Sequence, residues 1–286
     1  LHLIKLILFI VCGLLILGTF LKKDVFTLLA GFGAMAAVLL LVFQNTILSL
    51  VASVQISSYD MVRIGDWIEM PTLNADGDVI DMSLHTITVQ NFDKTFTTIP
   101  TNKLVTDTFK NWRGMKLLGA RRIKRSIFID QTSIHFITHE EQQKLKAFLL
   151  LDQYLDNKQS ELDSFNQQFE DQSVYNQRRL TNIGTFRAYV EFYLKQHAGI
   201  AKNQSLIIRQ LQPTSEGLPL EIYAFANTTV WNDYEAIQSD IFDHLMAIIP
   251  EFGLKIYQAP SGSDLRSLSK HAESSSELLS WVVHLH

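Results

Sequence analysis

His135 and His139 stand four residues apart, the spacing that puts two imidazoles on one helical face as zinc ligands. A zinc protease places a glutamate directly after the first histidine; position 136 is Phe, so that chemistry is not encoded. His139-Glu140-Glu141 reads instead as a helix start, where acidic side chains meet the positive end of the helix dipole. Asn74, Asp76 and Asp78 follow the first half of a calcium loop. Val79 stands where that loop needs glycine and no glutamate closes it, so the segment reads as a turn. Cys12, the one cysteine, lies inside an apolar run and cannot form an internal disulfide or a CxxC redox pair. Phosphate-binding loops, dinucleotide fingerprints and nucleophile elbows are also missing from the sequence. Catalytic residues, metal ligands and cofactors are therefore expected to be none, and the chain is read as something other than an enzyme. With a net charge of −4 and no lysine-rich run, nucleic acid is not an expected partner.

The informative feature is where charge is missing. Charged residues make up 19% of the chain, against about 25% in ordinary soluble domains, and the deficit sits almost wholly in the first sixty residues. Leu1 to Leu21 is nearly all Leu, Ile, Val, Phe and Gly, with His2 and Lys5 near one end. About 20 such residues span a bilayer core as a helix that satisfies its own backbone. Lys22-Lys23-Asp24 follows, rather than the small residues of a signal-peptide cleavage site. Leu1 already lies within the apolar stretch, so the natural chain is expected to begin earlier.

Val25 to Tyr59 holds no Asp, Glu, Lys or Arg and is too long for one span. Ala30, Gly31, Gly33, Ala34, Ala36 and Ala37 crowd its first half, ahead of bulky Val38 to Phe43. Small residues let helix backbones approach closely in lipid, so this half suits a helix packed against copies of itself. Gln44-Asn45-Thr46 is a polar break, read either as a bend or as cap residues at a helix end. Ile47, Leu50, Val51 and Val54 then recur at helical spacing among Ser49, Ser53, Gln55, Ser57 and Ser58. That half reads as an amphipathic helix on a membrane surface or under the bundle. Lys22 and Lys23 favour a cytoplasmic loop at their end, and Arg63 favours the opposite orientation.

The remainder reads as soluble. Strand signals occupy Val62 to Met70, Val79 to Val89 and Thr95 to Ile99, with a turn at Asn74 to Gly77, which predicts a small β-barrel or sandwich. Leu117 to Asp130 continues with strand character and carries Arg121, Arg122, Lys124 and Arg125, either a solvated face or a contact for anionic lipid. Helices are expected over His139 to Phe169, buried through Phe148, Leu149, Leu155, Leu162 and Phe165, and over Gly184 to Gln196, buried through Phe186, Val190 and Tyr193. A hairpin pairs Ser205 to Gln212 with Leu218 to Ala226, Trp231 to Ile249 forms a helix, and Leu254 to Gln258 a last strand. This order is α+β. Ser261 to Ser276 reads as a polar tail, and Leu278 to Leu285 as a short apolar end.

Ala30 to Phe43 followed by Gln44 and a second amphipathic helix resembles the pore helix of the small-conductance mechanosensitive channel (MscS) family. Arg63-Ile64-Gly65-Asp66-Trp67-Ile68 looks like the opening of that family's β domain. Thr97-Thr98-Ile99-Pro100-Thr101-Asn102-Lys103-Leu104 looks like its Ile-Pro-Asn strand end, and Asn111-Trp112 like the asparagine–aromatic pair that follows. The long helical insertion resembles the bacterial miniconductance branch. The resemblance is close over Val25 to Trp112 and loose to about Pro260. Two positions depart from the family: Asn45 follows Gln44 where glycine is common, and Leu40 occupies a place in the small-residue ridge.

The resemblance implies a multi-pass homoheptamer of the bacterial inner membrane, opened by tension to release ions and small osmolytes on hypoosmotic shock. Its partners would be lipids, further copies of itself and permeating solutes, and its C-terminal domain would be cytoplasmic. Aligned at Gln44, it puts Ala37 and Leu41 on the pore face as the constriction, Ala30, Gly31, Gly33 and Ala34 in the packing ridge, and the bend at Gln44 and Asn45. The expected fold is a membrane α-helical part joined to soluble all-β and α+β domains. It comprises a spanning helix (1–22), a kinked pore helix (25–60; spanning part 25–43, amphipathic part 46–59), a small β domain (61–112), an α+β cytoplasmic domain (113–260, with a helical insertion 139–203) and a tail (261–286). The alternative is a membrane-anchored osmosensor or regulatory scaffold acting through its cytoplasmic domain.

Overall fold

The apolar start of the chain folds as two helices, α1 (His2–Leu21) and α2 (Val25–Ser58), joined through Lys22 in the left-handed region at φ 49°. The computed structural model describes residues 2–22, 24–169 and 173–262. Phe26–Ser58 is the one described helix long and apolar enough to cross a membrane by length and composition; the apolar stretch of α1, Ile4–Phe20, is shorter. At 1.5 Å per residue, α2 is about 50 Å long, well beyond a hydrocarbon core of about 30 Å. Helical assignment runs through Gln44-Asn45-Thr46 without interruption. These residues therefore do not cap a helix end: their side chains are polar, but each still has an N–H and C=O to continue the ladder.

Helix and strand contacts divide the chain into Leu1–Gly114 and Met115–His286. In the first unit, β1 (Trp67–Met70), β2 (Ala75–Met82), β3 (Thr86–Asn91), β4 (Phe96–Pro100) and β5 (Lys110–Asn111) form an antiparallel sheet in the order β4-β3-β2-β1-β5. A short helix, α3 (Lys103–Thr106), lies between the last two strands. Alternating residues Val79, Ile87, Val89 and Ile99 fill one face with Ile68, Met70 and Leu104. Two sequence readings change here. The turn lies earlier than Asn74 to Gly77: Pro71–Leu73 is a 3-10 turn closed by left-handed Asn74, and Ala75 already begins β2. Val79 to Val89 is two strands, because Ser83 and Thr86 close a tight turn between them through hydroxyl and backbone hydrogen bonds.

After α4 (Arg113–Leu118), the second unit pairs β6 (Arg121–Ile129), β8 (Leu218–Ala226) and β7 (Ile207–Gln210) in an antiparallel sheet ordered β6-β8-β7. Around it lie α5 (His139–Leu145), α6 (Asp152–Asn166), α7 (Asn182–Gln196) and α8 (Trp231–Ile248). Phe186, Val190 and Leu194 recur every fourth residue on α7 and meet Ile241, Phe242 and Leu245 of α8 in one core with the sheet. His139 to Phe169 is not one helix. A capping box of Thr138 and Glu141 starts α5, and α6 begins afresh at Asp152. Of the expected stripe, Leu155 and Leu162 are buried, Phe148 packs against the core, Phe165 is 37% exposed and Leu149 is 95% exposed. The break after Leu145 shifts the helical phase, so one periodic stripe cannot serve both helices. Leu117 and Leu118 belong to α4, so the strand expected from Leu117 starts only at Arg121. Leu254 to Gln258 makes a single bridge, Ile256 to Ile129, rather than a strand. The tail reading from Ser263 onward, including the apolar end Leu278 to Leu285, lies outside the described residues.

Candidate pore helix and its junction with the β domain

Once α2 is a continuous helix, its phase follows at about 100° per residue. Ala30, Ala34, Ala37 and Leu41 then fall within an arc of about 60°, with Gly31 and Gly33 on either flank. Leu28, Phe32, Met35, Leu39 and Phe43 occupy the opposite side. A Cβ built on Gly31 or Gly33 meets nothing within 4 Å, and Leu41 is 71% exposed. The expected packing and constriction residues thus share one surface that none of the described residues covers. Gln44 and Asn45 follow on the same helix, also exposed.

The last turns of α2 behave differently. Ser49, Ala52 and Ile56 are buried, Ile56 within the core of the β domain, and the Ser53 hydroxyl donates to the Leu84 carbonyl at 2.8 Å. Apart from Ile56, the stripe that turns inward is therefore the small and polar one. Ile47, Leu50, Val51 and Val54, the apolar stripe legible in the sequence, all stay exposed.

The helix ends in a Schellman motif. Met61 N–H donates to the Ile56 carbonyl and Asp60 N–H to that of Ser57, while Asp60 takes the left-handed conformation at φ 51°. An aspartate here sits against the negative end of the helix dipole. Two arginines offset it: Arg63 donates to its carboxylate at 2.6 and 2.7 Å, and Arg113 Nη1 at 3.0 Å.

Asp66 is the centre of the junction and is only 7% exposed. Its carboxylate accepts from the Arg63 N–H at 2.9 Å, from Asn111 Nδ2 at 2.9 Å, and from Arg113 through Nε and Nη2. Burial alone would raise this carboxyl; the hydrogen bonds from Arg113, Asn111 and Arg63 outweigh it and hold it at about 2. Asn111 also donates to the Met61 carbonyl at 3.0 Å, and Arg113 to that of Asp60 at 3.1 Å. One buried carboxylate and two side chains from the end of the β domain thus clamp the residues that leave α2. Beside them, Trp67 stacks on Trp112 at 4.7 Å and donates to Asp76 at 2.8 Å.

The sequence singled out Arg63 to Ile68 and Asn111-Trp112 as motifs but assigned no role to Asp60, Asp66 or Arg113. The signal available was a charge flanked by apolar strand residues, which is rare unless it is paired. The remaining candidates are structural. His135 meets Glu141, not His139, at 2.9 Å, and its other nitrogen meets the Ser133 carbonyl; the Ser133 hydrogen bond and Glu141 both raise its pKa. Asn74 ends a turn and Asp76 holds Trp67. In the basic cluster of β6, Arg121 lies over Trp231 and Tyr234, Arg125 over Phe242, and Lys124 is 3.9 Å from Glu221, while Arg122, Lys124 and Arg125 stay exposed to solvent.

A family model described as the mechanosensitive ion channel β-domain matches residues 45–114, and one described as the MscS C-terminal region matches residues 193–256. Both matched regions are domains of the MscS family of mechanosensitive channels. The first match begins at Asn45, so it takes in the packed half of α2 and ends just past Arg113; the clamp lies wholly within it. MscS proteins are channels, not enzymes. An uncharacterized MscS family protein of Helicobacter pylori is 22% identical, covering 91% of this chain and 39% of its own length. The low conductance mechanosensitive channel YnaI of Escherichia coli is 28% identical over 31% of this chain and 30% of its own. The chain thus spans about two fifths of the Helicobacter relative.

Two solved structures share the fold. Arabidopsis thaliana MSL1 aligns with a TM-score of 0.54 at 13% identity, over 82% of this chain and 66% of that one. Helicobacter pylori MscS in its closed state aligns at 0.52 and 12% identity, over 91% and 82%. The MscS-like fold here comprises a helical N-terminal region, a small β domain and an α+β C-terminal domain.

Proposed function

We propose that this chain is the pore-forming part of a tension-gated channel of the bacterial inner membrane, releasing ions and small osmolytes on hypoosmotic shock. The observation that carries the reading is the uncovered small-residue face of α2 continuing into a turn clamped to the β domain. Copies of α2, seven by the resemblance to MscS, would pack through Ala30, Gly31, Gly33 and Ala34 around a central pore. Leu41, with Ala37 one turn before it, would form a hydrophobic ring that empties of water and stops ions without a plug. Tension favours whichever state occupies more membrane area, shifting the population toward an open one. The bend at Gln44 and Asn45 would be one that keeps the helical ladder. The pore helix carries no charge, so it would select weakly between ions. Multi-pass topology with the C-terminal domain in the cytoplasm belongs to the same proposal.

The test is a patch recording under suction with the full-length protein. Leu41→Ser removes about 2 kcal/mol of apolar burial per subunit from the constriction, and openings are expected at clearly lower suction than in wild type. Leu39→Ser, on the opposite side of the helix, is expected to move the threshold far less. An unchanged threshold in assembled Leu41→Ser would place the constriction elsewhere. Silence of both proteins in patches shown to hold assembled channel would favour the sensor or scaffold reading.

A further inference from the structure

The segment between His139 and Asn203, apart from α2 and its clamp, lines a positive cavity of about 250 Å³. Tyr154 and Lys158 of α6 wall one side; Arg178, Arg179 and Thr181, with Arg187 of α7, wall the other. Among the described residues, four cations line this space and no carboxylate does. Glu161 lies nearby and is shared, 2.7 Å from Lys158 and 3.6 Å from Arg178. The Arg179 guanidinium rests on the Phe136 ring at 3.9 Å and has no acidic partner among the described residues. Arg187 likewise has none among the described residues, and its charge and that of Lys158 act on the Tyr154 hydroxyl. Like charges gathered this closely repel one another, and a fold holds them together at least cost when an anion sits between them.

We propose that this cavity binds a phosphoryl group, as phosphate or diphosphate. Guanidinium forks match phosphate oxygens two at a time, and Lys158 adds a point charge. The first N–H groups of α7 are already taken: Asn182 donates to the His135 carbonyl, Ile183 to the Asn182 side chain and Gly184 to Thr181 Oγ1. Side chains therefore make the site, and the helix adds only the positive end of its dipole. The cavity is smaller than the roughly 300 Å³ at which sites for drug-sized ligands begin. It suits a phosphate or diphosphate moiety rather than a buried nucleoside. An occupant would cross-link α6 to α7 and the segment before it, stiffening a region that otherwise coheres through Leu155, Leu162 and Leu180.

The experiment is calorimetric titration of the detergent-solubilised full-length protein with sodium pyrophosphate at constant ionic strength. A parallel titration uses nanodiscs with and without phosphatidic acid. Wild type is expected to bind pyrophosphate, with affinity falling about tenfold or more in Arg179→Glu and Arg187→Glu. Arg187→Lys should stay within a few-fold. Arg122→Glu, an equal charge change on β6, should leave binding intact, and all variants should keep the wild-type circular dichroism. A response to phosphatidic acid alone, lost in Arg187→Glu, would support the site and assign the group to a lipid headgroup. Binding equal in Arg187→Glu and Arg122→Glu would overturn the proposal. So would no binding of either probe.

Discussion

Asp66→Ala is expected to destabilise the first unit by about 3 kcal/mol, the loss typical when one partner of a buried, hydrogen-bonded ion pair is removed. Arg113 would keep its guanidinium in a largely enclosed place with only Asp60 to balance it, and Asn111 would lose one of its two acceptors. Asp66→Asn keeps the shape but cannot accept from every donor, so an intermediate loss is expected. Thermal unfolding followed by the fluorescence of Trp67 and Trp112, which stack beside the clamp, measures this directly. A drop in midpoint of several degrees is expected for the alanine variant, and an unchanged midpoint would show that the clamp contributes nothing to stability.

The same residue predicts an acid limit. Its carboxyl is held at about 2 in the fold, against about 3.8 when free. A depressed carboxylate stabilises the protein above its unfolded pKa, and that contribution disappears as pH falls from about 4 toward about 2. It amounts to roughly 2.5 kcal/mol. Wild type should therefore lose stability across that interval more steeply than Asp66→Asn, in which the titrating group is gone. In channel recordings the loosened junction is expected to change the threshold in both variants, because α2 would no longer be held to the sheet at its exit.

Gly77→Ala is the second large effect. Gly77 lies inside β2 opposite Asn91, and a Cβ there would sit 2.0 Å from the Gln90 carbonyl oxygen and 2.6 Å from Asn91 Cα. Both are backbone atoms of β3, so no rotamer change relieves the overlap. The strands would have to part, beside the irregular register at Val79 and Asp81. The expected cost is about 3 kcal/mol or more, at the upper end of overpacking penalties. Loss of folded material on size exclusion, or a sharply lowered midpoint, would bear this out; near-wild-type yield and stability would mean that the strands separate cheaply. Gly114→Ala is a fitting control, since a Cβ there meets nothing within 4 Å.

How far the chain could be read without coordinates differs by region. Sixty residues almost free of charge, followed by strand-forming and then amphipathic segments, were enough to show a helical membrane region, a β domain and an α+β domain. Hydrophobic periodicity is a local property, and it survives without knowledge of any partner. The same locality explains what was misplaced. The turn before β2 and the break at Ser83 depend on hydrogen bonds made by Asn74, Ser83 and Thr86, not on apolar spacing. Leu149 has the composition of a core residue, but its helix restarts at Asp152 in a new phase.

At the junction, sequence and structure divide more sharply. The order Arg63…Asp66-Trp67 and Asn111-Trp112-Arg113 was visible as two motifs, but the contact between Asp66 and Arg113 closes a loop of more than forty residues. Only β1 and β5, paired through Ile68 and Asn111, bring the two together. Along α2, the sequence by itself determined that the helix is uncharged, which of its residues are small, and that they recur at helical spacing. Which stripe of the second half packs inward was settled by tertiary structure alone. Ser49, Ala52 and Ser53 won that place, beside the core residue Ile56, over Ile47, Leu50, Val51 and Val54 because small side chains allow the helix to approach the sheet and let a serine reach the Leu84 carbonyl. Hydrophobicity ranks residues by their preference to leave water, but not by the shape of the surface that receives them.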